Sequence, residues 1–127
     1  MHENDVARQV VDAAYKVHSA LGPGLLESVY QAVLHRELAR RGLKVEGQVP
    51  VPIIYEELQF DEGFRADLVV EDCVILELKS VEKLAAVHPK QLLTCFRLAN
   101  KRLGLLINFG EALIKDGLHR VVNNLPE

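Results

Sequence analysis

The chain has 127 residues and a net charge of −3, and 49% of its residues are hydrophobic while 26% are charged. This is the composition of an ordinary globular protein, and the length predicts one domain over residues 1–127. No apolar run reaches transmembrane length and the polar start does not read as a secretion signal, so we expect a cytoplasmic protein with no membrane partner. The negative charge argues against a protein that is basic all over, but it leaves room for a local basic groove.

The first half of the chain is predicted to contain two helices followed by strand structure. Gly42 is a typical helix terminator. Pro50 and Pro52 interrupt the strand region, which favours a position at a sheet edge because proline cannot donate a ladder hydrogen bond. The predicted elements are an amphipathic helix over 5–20, a break at 22–24, a second helix over 25–41, and one or two strands over 44–58.

The next segment, 64–80, reads as a β-hairpin with one apolar and one polar face. Side chains two positions apart on a strand share a face, so Glu77 and Lys79 point the same way. The alternation predicts that one face is core and that the other carries charge. The predicted core face is Ala66, Leu68, Val70, Val74, Leu76 and Leu78, and the polar face is Arg65, Asp67, Glu77 and Lys79.

The length of the hairpin loop determines which acids face each other. A three-residue loop over 71–73 pairs Val70 with Val74 and places Asp67 directly opposite Glu77. Like charges opposite each other destabilise a sheet, so this register favours a cation between the carboxylates. Hard oxygen ligands suit Mg²⁺ or Mn²⁺. The alternative is that these are two exposed acids on a solvated strand face.

The last third of the chain predicts a helix, a buried strand and a second hairpin. Asp116-Gly117 is a strong turn signal between two short apolar segments. The exposed edges of such a hairpin would allow a homodimer by strand pairing. The predicted elements are a helix over 89–101, a strand over 103–109 and a hairpin of 112–115 with 118–122. The complete order predicts an α/β class fold, a mixed sheet covered by helices.

Two residues of the second helix are candidates for the same site. Glu27 shares a stripe with Tyr30, Leu34 and Leu38, which is otherwise apolar. A buried unpaired carboxylate is costly, so Glu27 either reaches water at the edge of the stripe or meets a partner such as a metal ion. Tyr30 is either a core aromatic with a hydrated hydroxyl or a functional residue.

The third helix places His88, Gln91 and Cys95 on one stripe. Gln91 could hold a phosphate or a metal-bound water, His88 is better explained as a helix cap, and Cys95 is best explained as a small core residue. Cys73 and Cys95 form no metal-binding set and are expected to be free thiols. Basic residues that could track phosphates, or form only a solvated surface, are Arg36, Arg40, Arg41, Lys83, Lys90, Arg97, Lys101 and Arg102.

These blocks resemble the GxxExxY proteins, a group within the PD-(D/E)XK nuclease superfamily. The segment 24–30, Gly-Leu-Leu-Glu-Ser-Val-Tyr, matches the GxxExxY signature. Asp67 followed by Glu77-Leu78-Lys79 is similar to the D…ExK core of the superfamily, and the segments 88–93 and 105–110 are similar to further family blocks. The similarity extends from the first helix to Val122.

The resemblance implies a restriction-endonuclease-like fold with an αβββαβ core, to which this chain adds an N-terminal helix and a C-terminal β-hairpin. It implies that Asp67 and Glu77 bind Mg²⁺, for which Mn²⁺ can substitute, together with the backbone carbonyl of Leu78. Glu27 is expected to complete this site, and Lys79 is expected to orient or activate the attacking water.

The resemblance also implies substrate contacts from the helices. Many relatives with a RecB-like nuclease domain have a glutamine followed four residues later by a tyrosine, and here Gln91 fits while Cys95 stands in place of the tyrosine. Gln91 and Tyr30 are therefore the expected substrate-binding residues.

Two functions remain open at this point. The first is a Mg²⁺-dependent nuclease that hydrolyses phosphodiester bonds in nucleic acid, with DNA the expected substrate. The alternative is a nucleic-acid-binding or regulatory module that keeps the nuclease fold but does not cleave. The small size, the negative charge and the lack of a recognisable DNA-reading element favour the alternative.

Overall fold

The computed structural model describes residues 2–125. A mixed five-stranded sheet lies between two N-terminal helices on one face and a third helix on the other. The elements in chain order are α1 (Glu3–Leu21), α2 (Glu27–Arg40), β1 (Val45–Tyr55), β2 (Leu58–Val70), β3 (Val74–Lys79), α3 (Val87–Ala99), β4 (Leu103–Asn108), a 3₁₀ turn (Ile114–Gly117) and β5 (Leu118–Val122). None of the helices among the described residues is long and apolar enough to cross a bilayer.

The strands follow the order β1-β2-β3-β4-β5 across the sheet. The pair β3 and β4 is parallel, with α3 as the crossover between them, and the other three pairs are antiparallel. This arrangement confirms the predicted mixed sheet and is consistent with a restriction-endonuclease-like fold. The strand β1, which contains Pro50 and Pro52, lies at an edge as the two prolines predicted.

The helices α1 and α2 cover one face of the sheet through their predicted apolar stripes. On α2 the buried residues are Tyr30, Leu34 and Leu38, each fully excluded from solvent. They pack with the even-numbered residues of the central hairpin, which confirms that this hairpin face is core. The residues of this core from the hairpin are Leu68, Val70, Val74, Leu76 and Leu78.

The helix α3 covers the opposite face, and this corrects the prediction that only one hairpin face is core. Val69 and Ile75 pack against Leu92 and Phe96 of α3 in a second core cluster. Ala66, predicted to face the first core, also packs in this second cluster. The physical reason is that a helix following β3 needs an apolar surface of its own, so the polar face is confined to the end of the hairpin near Asp67.

The predicted C-terminal hairpin is wrong in one of its strands. Residues 112–115 do not form a strand, and β5 pairs with β4 instead, from Leu103 opposite Val122 to Ile107 opposite Leu118. The Asp-Gly signal lies in the 3₁₀ turn, where a Cβ on Gly117 would come within 2.2 Å of the Asn108 carbonyl oxygen. A residue with a side chain could not approach β4 this closely, which explains why position 117 is a glycine.

The paired strands β1 and β2 extend well past the rest of the sheet. They have 11 and 13 residues, whereas β3 has 6. The projecting part, residues 53–62, is called the arm below, and most of its side chains are exposed. Large apolar side chains on it that face solvent are Ile54, Tyr55, Leu58 and Phe60.

Candidate active site

The carboxylates of Asp67 and Glu77 meet where β2 and β3 separate. The two strands pair regularly from Val70 opposite Val74 to Leu68 opposite Leu76, which confirms the predicted three-residue loop. Continuing this register by one residue places Asp67 opposite Glu77. The predicted juxtaposition of the two acids therefore follows from the observed pairing.

Where β2 and β3 separate, side-chain carboxylates accept the hydrogen bonds that backbone carbonyls accept in the rest of the ladder. The Asp67 amide donates a hydrogen bond to Glu77 Oε1 at 3.3 Å, and the Leu78 amide donates one to Asp67 Oδ2 at 2.8 Å. Each carboxylate thus accepts an N–H group of the opposite strand, which fixes both acids in the opening between the strands. A carboxylate has about four acceptor positions, so each acid retains capacity for a further ligand.

The environment of Glu77 disfavours its charged form. Burial, followed by repulsion from the nearby charge of Asp67, raises the pKa of Glu77 from its ordinary 4.5 to about 7. The Asp67 amide and the charge of Lys79 act in the opposite direction but do not cancel these effects. A bound cation would relieve both penalties, so the opening between the strands fits a divalent cation.

This shift predicts a pH-dependent stability of the metal-free protein. Since the folded pKa of Glu77 lies above the unfolded value, its contribution to stability is fully present below about pH 4.5 and is lost as the pH rises through about 7. Each pKa unit corresponds to about 1.4 kcal/mol, so the expected loss between pH 5 and pH 8 is on the order of 2 to 3 kcal/mol. Urea unfolding of the EDTA-treated protein at the two pH values measures it.

The matched controls for this experiment are Glu77→Gln and Glu57→Gln. Glu77→Gln removes the titrating group, so the loss of unfolding free energy between pH 5 and pH 8 should be smaller by about 2 to 3 kcal/mol. The second alters an exposed acid of the arm and should leave the pH dependence of wild type. Equal pH slopes for wild type and Glu77→Gln would show that burial and the charge of Asp67 do not raise the pKa of Glu77.

Lys79 and Glu77 open into a cavity between the sheet and α3. Its volume is about 180 Å³. The polar side chains that α3 contributes are His88, Gln91 and Cys95, so the stripe predicted on this helix faces Glu77 and Lys79. The remaining lining residues are Phe64, Arg65, Leu92 and Leu106.

The three α3 residues differ in how they are held. His88 Nδ1 accepts a hydrogen bond from the Ala85 amide at 3.2 Å, but α3 begins at Val87 and no side chain caps it, so the predicted helix-cap role of His88 is wrong. Cys95 is half-buried, and its burial and the charge of Glu77 raise the pKa of its thiol. Gln91 is exposed, so its amide is accessible to a ligand that enters the cavity.

The structure separates Glu27 from the other two acids. Glu27 is the first residue of α2 and is exposed, at the border of a second pocket of about 500 Å³ that also includes Ser80, Val81 and Glu82. Across residues 2–125 no group of three or more His, Cys, Asp or Glu side chains is placed to hold a metal ion. Glu27 was predicted either to reach water or to share a metal ion with the other acids. The structure agrees with the first alternative, because Glu27 is exposed.

Tyr30 holds the segment that precedes α2. Its ring is fully buried and stacks on Phe109 with centroids 4.5 Å apart. Its hydroxyl donates to the Gly22 carbonyl at 2.5 Å and accepts from the Leu25 amide at 3.2 Å. Because the side chain is fully buried and its hydroxyl bonds both Gly22 and Leu25, Tyr30 orients the residues that lead to Glu27, and this burial argues against the expected contact of Tyr30 with a substrate.

Asn108 organises the loop after β3, a role that no sequence pattern predicted. Its side chain is buried, accepts hydrogen bonds from the Val81 and Gly110 amides at 3.0 Å each, and donates to the Val81 carbonyl at 2.9 Å. This clamp ties the exit of β3, which carries Lys79, to the end of β4. The available signal was a single amide side chain at the end of an otherwise apolar run.

Part of the predicted basic surface is already used in ion pairs. Arg41 pairs with Asp12 and Glu37, and Arg102 pairs with Glu3. Within the described part of the chain, the remaining predicted basic residues make no ion pair. These residues are Arg36, Arg40, Lys83, Lys90, Arg97 and Lys101.

The sequence matches a known protein family. The family described as the PD-(D/E)XK nuclease superfamily matches residues 4–121, which include both acids, Lys79 and Gln91. No curated protein and no solved structure matches the chain significantly.

Proposed function

This chain belongs to the PD-(D/E)XK nuclease superfamily, and from that premise we propose that it is a Mg²⁺-dependent nuclease that hydrolyses phosphodiester bonds in DNA. The observation that carries the proposal is the pair of carboxylates in the opening between β2 and β3, with Lys79 beside Glu77 in the same cavity. Nucleases of this superfamily generally depend on divalent metal ions.

In this proposal Asp67 and Glu77 hold the ion. A strand residue directs its N–H and C=O groups to the same side, so the Leu78 carbonyl is expected to face the opening into which its amide donates. These are hard oxygen donors of the kind that Mg²⁺ and Mn²⁺ prefer. Such an ion supplies positive charge to the scissile phosphate and makes nearby water more acidic.

The protein side chains orient the reactants. The Lys79 ammonium donates hydrogen bonds to the attacking water and to a phosphate oxygen, and the Gln91 amide contacts the phosphate from the opposite wall of the cavity. The water oxygen bonds to phosphorus and one water proton passes to solvent, while the bond to the leaving sugar oxygen breaks and that oxygen takes up a proton from solvent. Positioning and charge stabilisation are the main contributions that such a reaction needs from a protein.

Metal removal is the direct test. The protein is treated with EDTA and assayed on supercoiled plasmid, linear duplex DNA, single-stranded DNA and single-stranded RNA, and then assayed again after addition of Mg²⁺ or Mn²⁺. We expect no cleavage in EDTA and cleavage of at least one DNA substrate after either ion is restored. Cleavage that persists in EDTA would contradict the proposal. Cleavage of RNA alone would show that the substrate is RNA and not DNA.

A second candidate is a nucleic-acid-binding or regulatory module that retains the metal site but does not cleave. The separation of Glu27 from Asp67 and Glu77 favours it, because only two acids then remain to hold the ion. Calorimetric titration with Mg²⁺ combined with the cleavage assay distinguishes the two candidates. Mg²⁺ binding without cleavage of any of the four substrates would support the module.

A further inference from the structure

Gln48 on β1 has a backbone conformation that its position in a strand does not explain. Its φ angle is 51°, in the left-handed region that side chains other than glycine rarely adopt. The pairs on either side are regular, with Gly47 opposite Leu68 and Val49 opposite Ala66, whereas Gln48 and Asp67 are not paired. The ladder between β1 and β2 is therefore interrupted at the same residue as the ladder between β2 and β3.

The side chain of Gln48 connects Asp67 to α2. Its Nε2 atom donates to Gln31 Oε1 at 2.8 Å and lies 3.4 Å from Asp67 Oδ1, at the long end of a hydrogen bond. The other carboxylate oxygen of Asp67 accepts the Leu78 amide. Each oxygen of this carboxylate thus has one protein donor, on opposite sides.

We propose that Gln48, anchored by Gln31, is a positioning residue that sets the orientation of the Asp67 carboxylate. This inference rests on the proposed function for its catalytic consequence, but the hydrogen-bond geometry stands without it. Gln31 lies one helical turn after Glu27 on α2, so the same link fixes the distance between that helix and the site. A left-handed residue beside a functional carboxylate is the kind of backbone strain that surrounding structure maintains for a purpose.

The variant that separates positioning from folding is Gln48→Gly. Glycine adopts positive φ without steric cost, so the variant should be at least as thermally stable as wild type while lacking the amide. We expect Mn²⁺ affinity, measured by calorimetry, to fall about tenfold, as is typical when a group that orients a metal ligand is removed. Gln59→Ala changes an exposed amide of the arm and should leave both properties unchanged.

Hydrogen exchange gives a readout that needs no metal. In the EDTA-treated protein the Leu78 amide is held by Asp67, so Gln48→Gly should make its exchange about tenfold faster by loosening that carboxylate, while the amides of β4 exchange as before. Gln31→Ala should act in the same direction. In the double variant the Leu78 amide should exchange no faster than in Gln48→Gly alone, because the two residues act through one contact.

The outcomes are distinct from those of the proposed function. If wild type binds no metal but Leu78 exchange accelerates in Gln48→Gly, the positioning role stands and the metal site does not. Unchanged exchange and unchanged metal affinity in Gln48→Gly would overturn the positioning role, whether or not the protein cleaves DNA. Lower thermal stability in Gln48→Gly with uniformly faster exchange would also overturn it, since the role would then be structural.

Discussion

Replacing Asp67 by asparagine is expected to abolish divalent-metal binding and DNA cleavage while the protein remains folded. Asparagine has one carbonyl oxygen, which can still accept the Leu78 amide, but it carries no charge to hold an ion. Removal of a residue that only orients a metal ligand lowers activity by about 10- to 100-fold, and the loss in Asp67→Asn should be larger than this. Calorimetric titration with Mg²⁺ and Mn²⁺, and the plasmid assay on the same samples, measure the two effects.

The metal-free stability of Asp67→Asn provides the internal check. Repulsion from Asp67 is one cause of the raised pKa of Glu77, so the variant should lower this pKa, while burial keeps it above its ordinary value. In EDTA at pH 8 the variant should therefore be no less stable than wild type. An unfolded variant would show that Asp67 is structural, and Glu57→Gln should match wild type in every measurement.

Replacing Lys79 by methionine should slow cleavage strongly and leave metal binding in place. Methionine keeps most of the apolar stem but cannot donate a hydrogen bond to water or phosphate. The rate is expected to fall by about 10²- to 10³-fold, as when one donor to a developing charge is lost. Single-turnover cleavage at saturating Mg²⁺ measures this step without a contribution from product release.

The pH of this comparison matters because Lys79 lowers the pKa of Glu77. Without the lysine that pKa rises, and the ion would compete with a proton more strongly near neutral pH. Measured at pH 8, metal affinity should be equal to that of wild type or slightly higher, since one positive charge is gone. Lys115→Met, an exposed control, should behave as wild type. Weaker metal binding with unchanged cleavage would contradict the assigned role.

The order of elements up to β4 and the register of the central hairpin followed from the sequence, because both rest on local patterns. Alternation with a period of two, together with a three-residue loop, was sufficient to place Asp67 opposite Glu77. The stripe of His88, Gln91 and Cys95 was likewise correct, since residues three to four apart on a helix share a face wherever the helix packs.

Tertiary packing decided what local patterns cannot specify. The Asp116-Gly117 signal was real, yet β5 pairs with β4, because strand partners are chosen by long-range contacts such as the close approach of Gly117 to Asn108. Glu27 is the first residue of α2, and its exposure depends on where that helix begins relative to the sheet, which the apolar stripe of the helix does not predict. The link from Gln31 through Gln48 to Asp67 joins three elements by side chains that have no periodic or motif signal. Side-chain periodicity along the sequence predicts which acids and which lysine share a face of the central hairpin. What surrounds and orients these side chains depends on the folded chain, because periodicity is a local property and the approach of one element to another is not.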